Sequence, residues 1–184
     1  MSVSTVIGDT TNTLRQLLLE QQTLSFQVSL RSPADEAVDP ASPKINLYLF
    51  RIERNAFANN LNFIPVETEV FHYPPLALDL FYVLTPYAEE QDQAHRVLGE
   101  AMRILYDNAI IPSASLSGSL EHSDAELKVD LCQFSLEDLT RVWNAFSIPY
   151  RLSVCYQIRM VFVDSLLEHS TKRVREKENQ HGSI

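Results

Sequence analysis

Val3, Val6, Ile7, Thr10, Leu14, Leu17 and Leu18 recur at helical spacing, with polar residues between them. That period predicts a helix over residues 3–22. Phe26, Val28 and Leu30 then alternate with polar neighbours, so residues 25–30 form a short strand. Residues 32–43 hold three prolines among acids and serines and form a loop. In residues 45–54 both faces are apolar, with Ile45, Leu47 and Leu49 on one and Tyr48, Phe50 and Ile52 on the other. Such a strand is covered on each side, by a helix or by another subunit. Residues 55–65 are polar and Asn-rich, hence a loop, and residues 67–71 give a further short strand.

Residues 76–85 form a strong strand, with Leu76, Leu78, Leu80, Tyr82 and Leu84 on one face. Pro74 and Pro75 open it and Pro86 closes it, because proline cannot donate to the ladder. Residues 89–108 form a helix with the stripe Ala94, Val97, Leu98, Ala101 and Leu105, and acids crowd its start, where the helix dipole favours them. Residues 113–123 are small and polar and leave room for an edge strand. Residues 126–134 alternate again. Ser135 is placed as an N-cap, with Asp138 reaching back to it, before a short helix whose apolar side is Leu136, Leu139, Trp143 and Phe146. Residues 152–163 make the longest alternating run. Beyond Glu168 the apolar pattern stops.

Runs of adjacent strands separated by single helices predict an α+β single domain, with a mixed or antiparallel sheet and helices packed mainly on one face. The domain covers residues 1–168, and a charged C-terminal arm covers 169–184. A chain of 184 residues is long enough for such a core without disulfides or metals.

The net charge of −9 is unevenly placed. Residues 171–184 carry Lys172, Arg173, Arg175 and Lys177 against two acids, a net of +2, which leaves −11 elsewhere. An acidic body disfavours nucleic acid and anionic membrane as partners, and the basic arm is either a contact to the body of another subunit or a solvated tail. No stretch approaches a membrane span, and the first nine residues lack the basic start of a secretory signal. The expected place of synthesis and assembly is the cytoplasm. Cys132 and Cys155 fall in strands and outside any CxxC pair, as buried thiols do.

The search for chemistry yields no catalytic residue, no metal site and no cofactor. The five histidines are scattered, without HExxH or Cys at metal spacing. Ser117-Gly118-Ser119 lacks the glycines of a nucleophile elbow. Glu89-Glu90 and Glu137-Asp138 open helices, where capping accounts for them. No glycine-rich phosphate loop is present. Asp79 stands apart as a carboxylate within an apolar strand, where it is costly unless paired. It is either solvent-facing or salt-bridged in its own chain, or it meets an Arg of a neighbouring subunit. Asp79, Arg159 and the four arm bases Lys172, Arg173, Arg175 and Lys177 are the candidate interface residues.

Two strings are distinctive. One is Pro74-Pro75-Leu76-Ala77-Leu78-Asp79-Leu80 running on to Leu84-Thr85-Pro86-Tyr87-Ala88; the other joins Val142-Trp143 to Pro149-Tyr150-Arg151-Leu152-Ser153-Val154. His95-Arg96-Val97-Leu98-Gly99 and Leu105-Tyr106-Asp107-Asn108 fit between them. In that order they resemble the proteins that cap extracellular contractile injection systems of the antifeeding-prophage and virulence-cassette kind. The resemblance runs from the first helix to the last strand and omits the loops at 32–43 and 55–65 and the arm. It implies a tail-terminator-like fold and a non-enzymatic role. Six copies would ring the baseplate-distal end of the particle, stop inner-tube growth and hold the last sheath ring, with tube and sheath proteins as partners. The competing reading is a small-ligand-binding α+β domain or enzyme, for which His72, Tyr73, Asp79 and Tyr82 form the nearest cluster in sequence.

Overall fold

The computed structural model describes residues 5–39, 42–56, 64–65, 70–121 and 126–170, without the side chains of residues 64–65, 70–72, 160 and 168–170. Its main sheet has six strands in the order β1-β2-β5-β8-β7-β6. These are β1 (Gln27–Ser29), β2 (Lys44–Arg54), β5 (Leu76–Tyr87), β6 (Ile110–Ile111), β7 (Leu127–Leu131) and β8 (Val154–Val163). β1 runs parallel to β2 and every other pairing is antiparallel, so the sheet is mixed. A second sheet, β3-β4-β9, joins β3 (Ile64–Pro65), β4 (Val70–His72) and β9 (Glu168–Ser170). The helices are α1 (Val6–Glu20), α2 (Gln91–Asp107) and α3 (Leu136–Ala145).

Helices α1 and α2 lie on one face of the main sheet. Leu14 and Leu18 of α1 and Ile104 and Leu105 of α2 enclose a core with Leu47, Leu80, Leu84 and Ile158. α1 is rich in threonine, a poor helix former, yet Thr10 and Thr13 are buried in it. Their hydroxyls donate to the carbonyls of Val6 and Asp9, each at 2.8 Å, which satisfies them inside the helix. The Thr11 and Tyr82 hydroxyls share a hydrogen bond of 2.8 Å that fixes α1 to β5.

The opposite face is covered in part by α3. Ser135 and Asp138 form the expected capping box: Asp138 N–H donates to Ser135 Oγ at 3.2 Å, and Ser135 N–H donates to Asp138 Oδ2 at 3.1 Å. Trp143 is fully buried and donates from Nε1 to Ser153 Oγ at 2.9 Å. Phe146 stands edge-on to both Trp143 and Tyr48, with ring centroids 5.9 and 5.6 Å apart. Tyr48 of the second apolar face of β2 therefore meets a helix of its own chain, whereas the bulge at Phe50 moves Ile52 off that face, opposite Leu80, where it is half-exposed. Leu136, expected on the apolar side of α3, is instead 66% exposed, because only the side carrying Trp143 reaches the sheet.

Other expectations also shift. β5 runs through Pro86 to Tyr87 instead of stopping before it. The last β5–β8 pair is Leu84↔Val154, so Pro86 pairs with Ile45 on one side and has an open edge on the other, where its missing N–H is tolerated. Residues 113–121 hold two 3-10 turns and no strand; the short strand β6 precedes them. Gly118 adopts φ +66°, and a Cβ there would lie 2.5 Å from the Asp9 carboxylate, so the turn needs glycine. Of the expected arm, His169 and Ser170 lie in β9, and residues 171–184 lie outside the described residues.

Candidate functional site

The two candidate residues of the sheet, Asp79 and Arg159, face each other across a β-bulge. β5 and β8 pair Leu78 with Val161 and Leu80 with Ile158, so Asp79 alone opposes both Arg159 and Met160. Asp79 is only 9% exposed and accepts a hydrogen bond from Asn55 Nδ2 at 2.9 Å. Asn55 also donates its N–H to the Ala77 carbonyl at 2.9 Å, just past the last β2–β5 pair. Arg159 forms an ion pair with Asp130 of the adjacent strand β7, and both are half-buried. On β2, Arg51 pairs with Glu53 and lies over the Phe81 ring at 5.3 Å from its centroid. The half of this face that α3 leaves open thus carries the ion pairs Arg51–Glu53 and Arg159–Asp130 and the hydrogen-bonded pair Asn55–Asp79. Asn55 and Asp130, which complete two of them, escaped the sequence reading, because each sits far along the chain from its partner and only the strand register joins them. The arm bases Lys172, Arg173, Arg175 and Lys177 lie outside the described residues.

Titratable groups elsewhere are tuned by structural contacts. The Arg103 guanidinium beside Glu100, with Thr23 N–H and hydroxyl each donating at 2.7 Å, holds that carboxyl down at about 2. Ser119 donates from Oγ at 2.6 Å and from N–H at 3.1 Å to Asp9, and this lowers the Asp9 carboxyl. The first ties the middle of α2 to the segment after α1, and the second ties the first turn of α1 to the 3-10 turn at Ser119. Burial pushes the Cys132 thiol up to about 11 and the Cys155 thiol to about 12, so both stay protonated at neutral pH and are poor nucleophiles. Tyr82 is pushed up to about 12, also by burial. Its hydroxyl faces α1, whereas Asp79 lies on the other face, so the cluster expected of a ligand site is split by the sheet. Among the described residues no group of three or more His, Cys, Asp or Glu could hold a metal, and no helix is long and apolar enough to cross a membrane.

The apolar concavity lies elsewhere. A groove of ≈ 610 Å³ runs between α2 and β7, lined by Gly99, Met102, Tyr106, Val129, Leu131 and Tyr156 among others. Two smaller concavities, each of ≈ 300 Å³, lie beside Glu36 and are polar.

A family model of the Pvc16 N-terminal domain matches residues 9–177. The chain belongs to that family. As a Pvc16 N-terminal domain it has the fold of two solved structures. One is the sheath/tube terminator, in the extended state, of an extracellular contractile injection system named PVC, with a TM-score of 0.70 and 17% identity over 97% of this chain. The other is the tube-terminating cap of the anti-feeding prophage, with a TM-score of 0.61 and 15% identity over 95% of this chain. This chain spans 65% and 61% of the length of those two proteins. No curated protein matches the sequence. At these identities the two structures establish the α+β tail-terminator fold of the Pvc16 N-terminal domain.

Proposed function

We propose that this chain is the terminator domain of a contractile, phage-tail-like injection particle. It forms a ring at the baseplate-distal end, ends inner-tube growth and anchors the last sheath ring. The observation that carries this reading is the fold it shares, over 97% of its length, with a protein described as a sheath/tube terminator. The role is structural and not enzymatic. Asp9 and Glu100, the acids with lowered pKa, clamp neighbouring segments, and burial raises both thiols, that of buried Cys155 and that of half-buried Cys132. The ring consists of six copies, built in the cytoplasm and carried out with the released particle. The body's negative charge sets register against tube and sheath more than affinity. Arg159 and the bases Lys172, Arg173, Arg175 and Lys177 contribute charged contacts in the assembly, while buried Asp79 holds the sheet that presents them.

The test is the length of assembled particles, measured by negative-stain microscopy with and without the gene. Overlong, ragged or uncapped tubes in the deletion are the expected result. Unchanged lengths and ends would remove the terminator reading.

A further inference from the structure

The chain's two cysteines share one rung of the main sheet. β7 and β8 pair Lys128 with Arg159, Asp130 with Gln157 and Leu131 with Tyr156, so the next rung sets Cys132 against Cys155. The Cys132 N–H donates to the Cys155 carbonyl at 2.8 Å, so the antiparallel register holds there. Residues directly opposite in such a pair point to the same face of the sheet. Tyr156 and Ile158 belong to the core under α1 and α2, so Cys155 takes the face that carries α3. Asp130, two residues before Cys132 on that same face, adds to the rise of the Cys132 thiol, and Cys132 in turn adds to that of Cys155. Hydrogen-bonded antiparallel pairs hold their Cα atoms about 5.5 Å apart, and a disulfide spans about 4.4–6.8 Å. The rung therefore has the separation that a disulfide needs.

The two thiols differ in access. Cys155 is 2% exposed, whereas Cys132 is half-buried just past the end of β7. A reagent arriving from solution meets Cys132, and Cys155 is within reach only of the sulfur beside it. That is the layout of an attacking thiol backed by a resolving one. A bond between them closes residues 132–155 into a loop that holds α3 and the hydrogen bond from Trp143 to Ser153.

We propose that Cys132 and Cys155 form an oxidation site, a dithiol that a small-molecule disulfide converts into a cross-strand disulfide between β7 and β8. The reaction balances as two exchanges. The Cys132 thiolate attacks the small disulfide, RSSR, and forms Cys132–S–S–R. The expelled RS⁻ leaves as RSH with the proton that Cys132 gave up. The Cys155 thiolate then attacks the Cys132 sulfur, forms the Cys132–Cys155 bond and expels a second RS⁻, which takes the Cys155 proton. The two protein thiols are oxidised and RSSR is reduced to two RSH. A reducing compartment keeps the pair as thiols, and an oxidising medium outside the cell favours the bond. That the chain meets such a medium rests on the release proposed above; the exchange itself does not.

The test incubates the reduced full chain with oxidised glutathione in native buffer at about pH 8.5, where more of the Cys132 thiol is ionised than at neutral pH. Intact mass should fall by two hydrogens, both thiols should vanish from a count made in denaturant, and an unreduced digest should join the Cys132 peptide to the Cys155 peptide. Cys155→Ser should stop at a glutathione adduct on Cys132, and Cys132→Ser should keep its one thiol. An alkylating reagent, which leaves no sulfur bond for Cys155 to attack, should label Cys132 alone in the native chain. Circular dichroism of the oxidised chain should match that of the reduced one, and its Tm should rise by about 5 °C or more and return on reduction. A parent that keeps both thiols or stops at the adduct, a bond that forms only in urea or only between chains, or an oxidised chain that melts below the reduced one would each overturn the proposal. Because the readout is a covalent bond within the purified chain, it can fail while gene deletion still yields overlong tubes, which separates it from failure of the terminator reading.

Discussion

Replacing Asn55 with Ala tests what holds the sheet at the bulge between β5 and β8. Asn55 and Asp79 are both buried, and the 2.9 Å bond between them supplies the Asp79 carboxylate with an amide donor. A hydrogen bond to a charged group is worth about 1.5–3 kcal/mol, and losing it strands the carboxylate in an apolar strand. Asn55→Ala should therefore destabilise the domain by about 2 kcal/mol. With a urea m-value of about 2–3 kcal/mol/M, the midpoint falls by about 0.7–1 M. The control is Asp79→Asn, which keeps the side-chain shape and an acceptor oxygen but removes the charge. In that background Asn55→Ala should cost about half as much, giving a coupling of about 1 kcal/mol in the double-mutant cycle. Urea unfolding followed by the fluorescence of Trp143, the chain's single tryptophan, measures all four proteins. An equal cost in both backgrounds, or a midpoint shift under about 0.2 M, would show that Asn55 does not sustain Asp79.

Ser153→Ala removes the acceptor of the buried Trp143 Nε1–H, and the stranded donor should cost about 1–3 kcal/mol by the same assay. Glu100 has a folded pKa of about 2, below its unfolded value of about 4.3, so its stabilising share is complete above the unfolded value and is lost as pH falls through the folded one. Thermal melts between about pH 5 and 2 should show a shallower loss of Tm for Glu100→Gln than for the parent; parallel curves would contradict the Arg103 and Thr23 contacts as the cause. Buried Cys155 should react with an alkylating thiol reagent at pH 7 only after denaturation, and half-buried Cys132 slowly in the native state, as counted by absorbance, given thiols pushed up to about 12 and 11.

The elements most legible in the sequence are those whose periodicity is enforced by the core. The stripe of α2 and the alternation in β5 and β8 each answer to one buried face, so a reading of period alone places them within a few residues. The capping box of Ser135 and Asp138 is legible for another reason: donor and acceptor are three residues apart, and local chemistry settles it. The extension of β5 through Pro86 was not legible, because the rule against proline in strands assumes neighbours on both sides. Whether a neighbour exists depends on how far β8 runs, a fact written 68 residues downstream of Pro86 at Val154.

The same limit governs the candidate site. Asp79 was conspicuous as a carboxylate in an apolar run, but its partner Asn55 sits 24 residues away in a polar stretch where asparagine is unremarkable. Arg159 met its acid, Asp130, only because the register of β7 and β8 makes them diagonal neighbours. The doubly apolar face of β2 left a helix or a second subunit as cover, and its Tyr48 meets Phe146 at the end of α3. That choice bears on the assembly. With Tyr48 of β2 covered by the chain's own aromatics, the large apolar side chains left bare among the described residues are scattered, and include Leu136 on α3, Ile110 on β6, Leu131 on β7, and Leu166 and Leu167 before β9. Subunit contact through the broad faces of the sheet would have to displace α3 or the helical layer of α1 and α2, at the cost of a fully buried Trp143 or of the core itself. A contact made through side chains already bare displaces neither layer, which is the physical reason to expect the proposed ring to leave α1, α2 and α3 in place.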